Sequence, residues 1–221
     1  MDAITNVHFE SVTSSRYLCP IRMRFEQEGN QRTWDLMVTH DSVFAVLYHV
    51  QRRSLIFVQQ FRPAVYANSV VTNADPNPET WNKIDWSKVP PSVGITVEFC
   101  AGITDKATND LTLVVQEEIL EECGYRVPLD KLERITSHRS GVGTGGGRQT
   151  MFYAEVDESM KVGDAGGGVD DERIELLYVP INELTKLMYD ETIPKPAGVM
   201  FGVLWFLQER APKYADKTEM E

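Results

Sequence analysis

The chain has little with which to staple, anchor or attract. Its three cysteines, Cys19, Cys100 and Cys123, are odd in number and lack metal-ligand spacing, which excludes a disulfide framework and fits free thiols in a reducing compartment. The longest apolar run, Gly198 to Leu207, is about half a membrane span. The first ten residues lack the basic-then-apolar order of a secretory signal, so a cytoplasmic address without a membrane partner is expected. Positive charge is scarce: 22 Lys and Arg against 33 Asp and Glu leave a net charge of −11, which argues against tracking a nucleic-acid backbone. The four histidines, His8, His40, His49 and His138, have neither metal-ligand spacing nor a serine or cysteine elbow beside them. "GVGTGGGRQ" lacks the Gly-Lys-Ser/Thr ending of a phosphate loop and is read as a flexible substrate loop. There is no internal repeat and no low-complexity tract.

What is present is enough for a real core, with 42% hydrophobic residues in a chain of 221. Alternating residues around a Glu28-Gly29-Asn30 turn predict a hairpin of two long strands, followed by strands in "DSVFAVLYHV" and "SLIFVQQFR". Residues 67–91 combine Pro, Asn and Asp without a period and read as a loop insertion, with Trp81 and Trp86 as its anchors. A short strand, "GITVEFC", then leads through a loop to a helix over 111–123, with Asp110 as N-cap and Gly124 as its stop. Further strands ("RQTMFYAEV", "RIELLYVP") and two C-terminal helices follow. Strands and helices mixed in this order predict an α+β or α/β sandwich.

The 111–123 helix concentrates charge: "QEEILEECGY" places four glutamates within six positions, Glu117 to Glu122. With Leu111, Val115, Ile119 and Cys123 as the buried stripe, Glu118 and Glu122 fall one turn apart with Glu121 beside them. Like charges so placed repel unless a cation sits among them, and a hard divalent ion is the natural one for carboxylate oxygens. A solvated helix face is the plain alternative.

The context of this helix resembles the Nudix box, the loop-helix-loop signature of the Nudix hydrolases. The spacing Glu118-x-x-Glu121-Glu122-x-Gly124 matches throughout, while Glu117 stands where the family has Arg and the loop from Gly102 is one residue longer. "FVQQFRPAVY", "VEFCAG", "RQTMFY" and "IPKPAGVMFGVLWFL" extend the resemblance, which is closest to the nucleotide-sugar branch. It implies a Nudix α/β/α sandwich with a mixed sheet over 41–221. It further implies that residues 1–40 form an antiparallel β-hairpin region making a swapped homodimer.

The resemblance implies metal ligation by Glu118, Glu122 and the carbonyl of Ala101, with Glu121 supporting the cluster and Gly102 allowing close approach. A further carboxylate is expected from "GGGVDDERIELLYVP": Glu172 as metal ligand or general base, with Asp170 competing for the second role. Arg62 matches a position that grips substrate phosphate, with a structural ion pair as the alternative. Glu98 is a nearby acid, Arg148 a weaker phosphate or sugar contact, and Arg32 or Trp34 could reach a partner's base-binding pocket.

The implied reaction is hydrolysis of a nucleotide-sugar diphosphate, UDP-glucose giving UMP and glucose 1-phosphate, with Mg²⁺ as cofactor and Mn²⁺ as a substitute. ADP-ribose is the rival substrate. Enzymes cutting it carry a proline about sixteen residues beyond the box, where this chain has Gly141. A catalytically weak nucleotide-binding module is the alternative from another class.

Overall fold

The computed structural model describes residues 4–15, 17–71, 77–105, 108–163, 165–169 and 172–214. Strands β1 (Cys19–Gln27) and β2 (Asn30–Val38) pair antiparallel in full register. Their two-residue turn has positive φ at both Glu28 (52°) and Gly29 (76°), the mirror-image turn whose twist matches that of two strands. The ribbon is nearly all exposed: Ile21, Met23 and Trp34 sit at 46, 50 and 55% of full exposure. A two-stranded ribbon has no core of its own, so its stability must come from what lies against it.

The main sheet has seven strands. At its centre is β3 (Ser42–His49), whose residues from Val43 to His49 are all buried because helices cover both faces. Next along the chain are β4 (Ser54–Phe61), β5 (Ile95–Glu98), β6 (Cys100–Ile103), β7 (Glu133–Arg139), β8 (Arg148–Val156) and β9 (Glu175–Pro180). Strand β3 runs parallel to β8 and antiparallel to both β4 and β6. The chain from β5 to β6 changes neighbour at Phe99, leaving β4 for β3. β9 pairs with β4, and β7 with β8.

Side chains alternate across β3. Val43, Ala45 and Leu47 join one core with Val114, Val115, Ile119 and Cys123, while Phe44, Val46 and Tyr48 join the other with Val199, Val203 and Phe206. This is the expected helix-sheet-helix sandwich.

The described residues within 67–91 include short helical turns. Helix α1 (Pro63–Val70) and the single turn α2 (Pro78–Trp81) are followed by short 3₁₀ turns. Tyr66 and Trp86 are buried in a third cluster, with the indole of Trp86 donating to Trp81 O at 2.9 Å. These turns are too short to show a period, and aromatic packing holds them in its place. Trp81 and Trp86 do anchor the segment.

On the other side of the sheet from the acidic helix, α4 (Leu184–Tyr189) and α5 (Ala197–Glu209) close the second core. Gly202 of α5 packs on the sheet so closely that a Cβ there would lie 2.4 Å from the ring of Phe99 and 3.0 Å from Val46, whereas one at Gly198 would meet nothing within 4 Å. Gly202→Ala is therefore expected to lower stability by about 1–3 kcal/mol despite its better helix propensity. Gly198→Ala should hold or raise stability by up to about 1 kcal/mol. Urea unfolding of both variants checks this; equal effects would show that the Phe99 contact is soft.

Candidate active site

The acidic helix begins where expected, with the Asp110 carboxylate accepting from Thr112 N at 2.9 Å. It is α-helical as α3 (Leu111–Glu118) and then widens into a π turn over Ile119–Cys123, ending at Gly124 in the left-handed region with φ 71°. Val114, Val115, Ile119 and Cys123 face the core. Glu117 is left outward, Glu118 and Glu121 are half-buried, and Glu122 is buried at 6% exposure.

A helix end leaves carbonyls without intrahelical partners. Here a second loop supplies the donors: Gly167 N to Glu122 O at 3.0 Å, Gly168 N to Glu121 O at 3.1 Å and Lys161 Nζ to Cys123 O at 2.7 Å. The same loop carries Glu172, whose carboxylate accepts from Val169 N at 3.3 Å. The loop's sequence shows flexibility but does not show that it caps the acidic helix.

Strand β6 meets the helix at two points. Ala101 N donates to Glu122 Oε2 at 3.0 Å, and the Cys100 thiol bonds the same carboxylate. At Gly102, a Cβ would fall 2.1 Å from Glu118 Cδ, so only glycine lets that carboxyl group lie against the strand. Burial pushes the Glu122 pKa up to about 7; the Cys100 and Ala101 hydrogen bonds oppose the rise, and the charges of Glu118 and Glu172 add to it.

Arg62 precedes α1 and forms a two-point pair with Glu98, Nε to Oε1 at 2.8 Å and a second bond at 2.7 Å. The ion-pair alternative therefore describes Arg62 in this state. Burial pushes the Glu98 carboxyl up, but Arg62 and the Thr96 hydroxyl together hold it below its usual range. The guanidinium also feels Glu122 and Glu172, so these acids share one neighbourhood. Thr96 and Cys100 were not among the sequence candidates, although alternation along β5 puts Thr96 on the face of Glu98.

Other candidates lie elsewhere. Arg148 is exposed and gives its backbone N–H to Asp41 Oδ1 at 2.7 Å. Arg32 is exposed on the ribbon, and Trp34 donates to Gly143 O of its own chain at 3.0 Å. Asp170 lies outside the described residues. The loop 141–147, expected to be flexible, is internally bonded, with Thr144, Gly145 and Gly146 N–H groups converging on Gly141 O. Two hollows meet at Gln149: one of about 120 Å³ beside Glu98 and Ala101, and one of about 480 Å³ lined by Thr39, His40, Ser140 and Thr144.

The donor set fits a hard divalent cation. Glu118, Glu121, Glu122 and Glu172 supply oxygen, and the nearby charges of Glu118 and Glu172 add to the burial that raises the Glu122 pKa, a repulsion that a cation would relieve. Among the described residues no three acidic, cysteine or histidine side chains converge tightly enough to hold an ion as they stand, so at least one must turn to do so.

A cation should displace the Glu122 proton, and this has a sign. The folded pKa is raised from 4.5 to about 7, so the stability present at low pH is lost as pH rises through 7, and a cation restores it. Mg²⁺ is expected to raise the unfolding temperature more at pH 8 than at pH 6. Gly102→Ala should raise the Mg²⁺ concentration needed by roughly tenfold or more. A shift larger at pH 6, or a variant that responds like wild type, would count against this cluster as the ion site.

No family model matches the chain. It is 39% identical to the uridine diphosphate glucose pyrophosphatase NUDT14 of Bos taurus over 222 residues, covering 96% of this chain and 98% of that one; the Mus musculus protein of the same name is 37% identical over the same span. The GDP-mannose pyrophosphatase of Cronobacter sakazakii is 29% identical over 62% of this chain and 59% of its own length. A solved structure titled as that of an ADP compounds hydrolase superposes over 89% of this chain and 90% of its own with a TM-score of 0.60 at 16% identity, which speaks for the fold. With the Glu118, Glu121, Glu122 and Gly124 spacing set on a helix against Ala101 and Gly102, the chain belongs to the Nudix hydrolases, in the branch of the nucleotide-sugar pyrophosphatases.

Proposed function

We propose that the protein is a Mg²⁺-dependent diphosphatase that hydrolyses UDP-glucose to UMP and glucose 1-phosphate, with Mn²⁺ able to replace Mg²⁺. The observation that carries this reading is the end-to-end likeness to uridine diphosphate glucose pyrophosphatases, joined to the carboxylate cluster at β6 and the π turn. The neutral, hydroxyl-bearing lining of the larger hollow suits a sugar.

Glu118, Glu122, Glu121 and the Ala101 carbonyl would hold the ion, and Glu172, whose charge is felt by Glu122, would be the further carboxylate to join them. When bound, the ion neutralises diphosphate oxygens that a site this acidic would otherwise repel and acidifies a bound water. Ala101 N–H and the Cys100 thiol fix Glu122. Glu172 takes the proton as the water oxygen bonds to one phosphorus and the bridging P–O bond breaks. Attack at either phosphorus yields the same two products. Arg62, turned from Glu98, is the side chain suited to grip a phosphate.

Wild-type protein with Mg²⁺ should cleave UDP-glucose faster than ADP-ribose, and Glu122→Gln should lower kcat by roughly a hundredfold or more. Chromatography of the products reads both. Faster turnover of ADP-ribose would move the substrate assignment, and equal inactivity of both proteins on both compounds would leave the nucleotide-binding module.

The exposed apolar ribbon supports a homodimer in which β1 and β2 pack on a second copy, and Arg32 and Trp34 would then be the side chains to approach the neighbouring site. Light scattering should give twice the chain mass; a stable monomer at micromolar concentration would refute it. The net charge of −11 favours no nucleic-acid partner. Among the described residues no helix is long and apolar enough to cross a membrane. Three free cysteines suit the cytoplasm.

A further inference from the structure

Resting on the assignment of Glu172 to the reaction, we propose that Gly168 is its positioning residue, a backbone wedge that ties the Glu172 carboxylate to the helix carrying Glu121 and Glu122. Three observations converge on it. Gly168 has φ +93°, a conformation that side-chain-bearing residues rarely adopt. Its N–H is spent on the carbonyl of Glu121 at 3.1 Å, so its place relative to the acidic helix is fixed.

On the other side, a Cβ at position 168 would lie 2.6 Å from Glu172 Cβ and 3.1 Å from Glu172 Oε2. The 2.6 Å clash is with an atom bonded directly to the backbone, which cannot swing aside as a side-chain end can. The Glu172 main chain therefore has to move if anything larger than hydrogen occupies position 168. The loop closes around this contact through Glu172 N to Val169 O and Ile174 N to Gly167 O, both at 3.0 Å. One residue thus touches a carbonyl of the acidic helix and the proton-accepting side chain, and sets the span between them.

Gly167 is the internal control. It has φ +96°, so a side chain there meets the same backbone strain, and its N–H binds Glu122 O at 3.0 Å. A Cβ at 167, however, meets only Ile174 O at 3.8 Å and leaves Glu172 untouched. The comparison of Gly168→Ala with Gly167→Ala removes the strain common to both and leaves the Glu172 contact.

With UDP-glucose and saturating Mg²⁺, Gly168→Ala is expected to lower kcat by about a hundredfold relative to Gly167→Ala, the loss that a displacement of about 1 Å in a reacting group can cause. KM should stay within about twofold of the control, and in a Glu172→Gln background Gly168→Ala should cost no further activity. Thermal unfolding confirms that both single variants fold. Should Gly168→Ala fail to fold, Glu172→Asp asks the same question without a clash: a clamped loop cannot extend the shortened arm, so kcat falls tenfold or more, on the order of a misplaced base.

Equal kcat in the two glycine variants, a loss confined to KM, or Glu172→Asp within about twofold of wild type would each overturn the wedge. If instead Glu172→Gln retains wild-type kcat, the assignment of Glu172 itself fails, and the wedge with it.

Discussion

A carboxylate buried where a helix meets a strand sets the terms for everything around it. Glu122 sits at 6% exposure, and a bare negative charge at that depth is costly unless hydrogen bonds or a cation balance it. The Ala101 N–H and the Cys100 thiol provide part of that balance, and both come from the short strand β6. This explains why β6 leaves the alignment of β5 and pairs with β3: the change of neighbour at Phe99 brings Ala101 and Gly102 under the acidic turn. It also explains the glycine at 102, since a second carboxyl group, that of Glu118, lies against the same backbone.

The parts of this arrangement that depend on near neighbours were legible in the sequence. The Glu118, Glu121, Glu122 and Gly124 spacing fixes a helical face and a stop, and β3 could be recognised from an unbroken apolar run. Parts that depend on distant partners were not. Nothing in "GGGVDDERIELLYVP" tells that its glycines cap the helix some forty-five residues earlier, because hydrogen bonds to carbonyls leave no trace in side-chain identity. Arg62 illustrates a different limit. Its guanidinium suits a carboxylate and a phosphate equally well, and the sequence offered both readings. In the segment 67–91 the short turns of the described residues could not be read, because an aromatic cluster around Trp86 organises turns too short to carry a period.

The acids are divided by environment as much as by position. Glu98, in a two-point pair with Arg62, is held ionised, while Glu122, buried and then further disfavoured by like charges, keeps its proton to near neutrality. Two carboxyl groups at one site thus differ in charge at the same pH, which is the kind of separation that lets one acid serve structure and another serve chemistry. Glu117, which stands where the resemblance to the Nudix box places Arg, is exposed.

Among the described residues, the ribbon formed by β1 and β2 is bonded to a distant part of its own chain at one place, by Trp34 Nε1 to Gly143 O and Met37 N to Thr144 O. Gly143 and Thr144 belong to the loop that forms one wall of the larger hollow, and Met37 stands in that hollow with them. The ribbon thereby borders that hollow through Met37. One wall of that hollow is thus braced by an exposed ribbon that lies outside both sheet-covering cores.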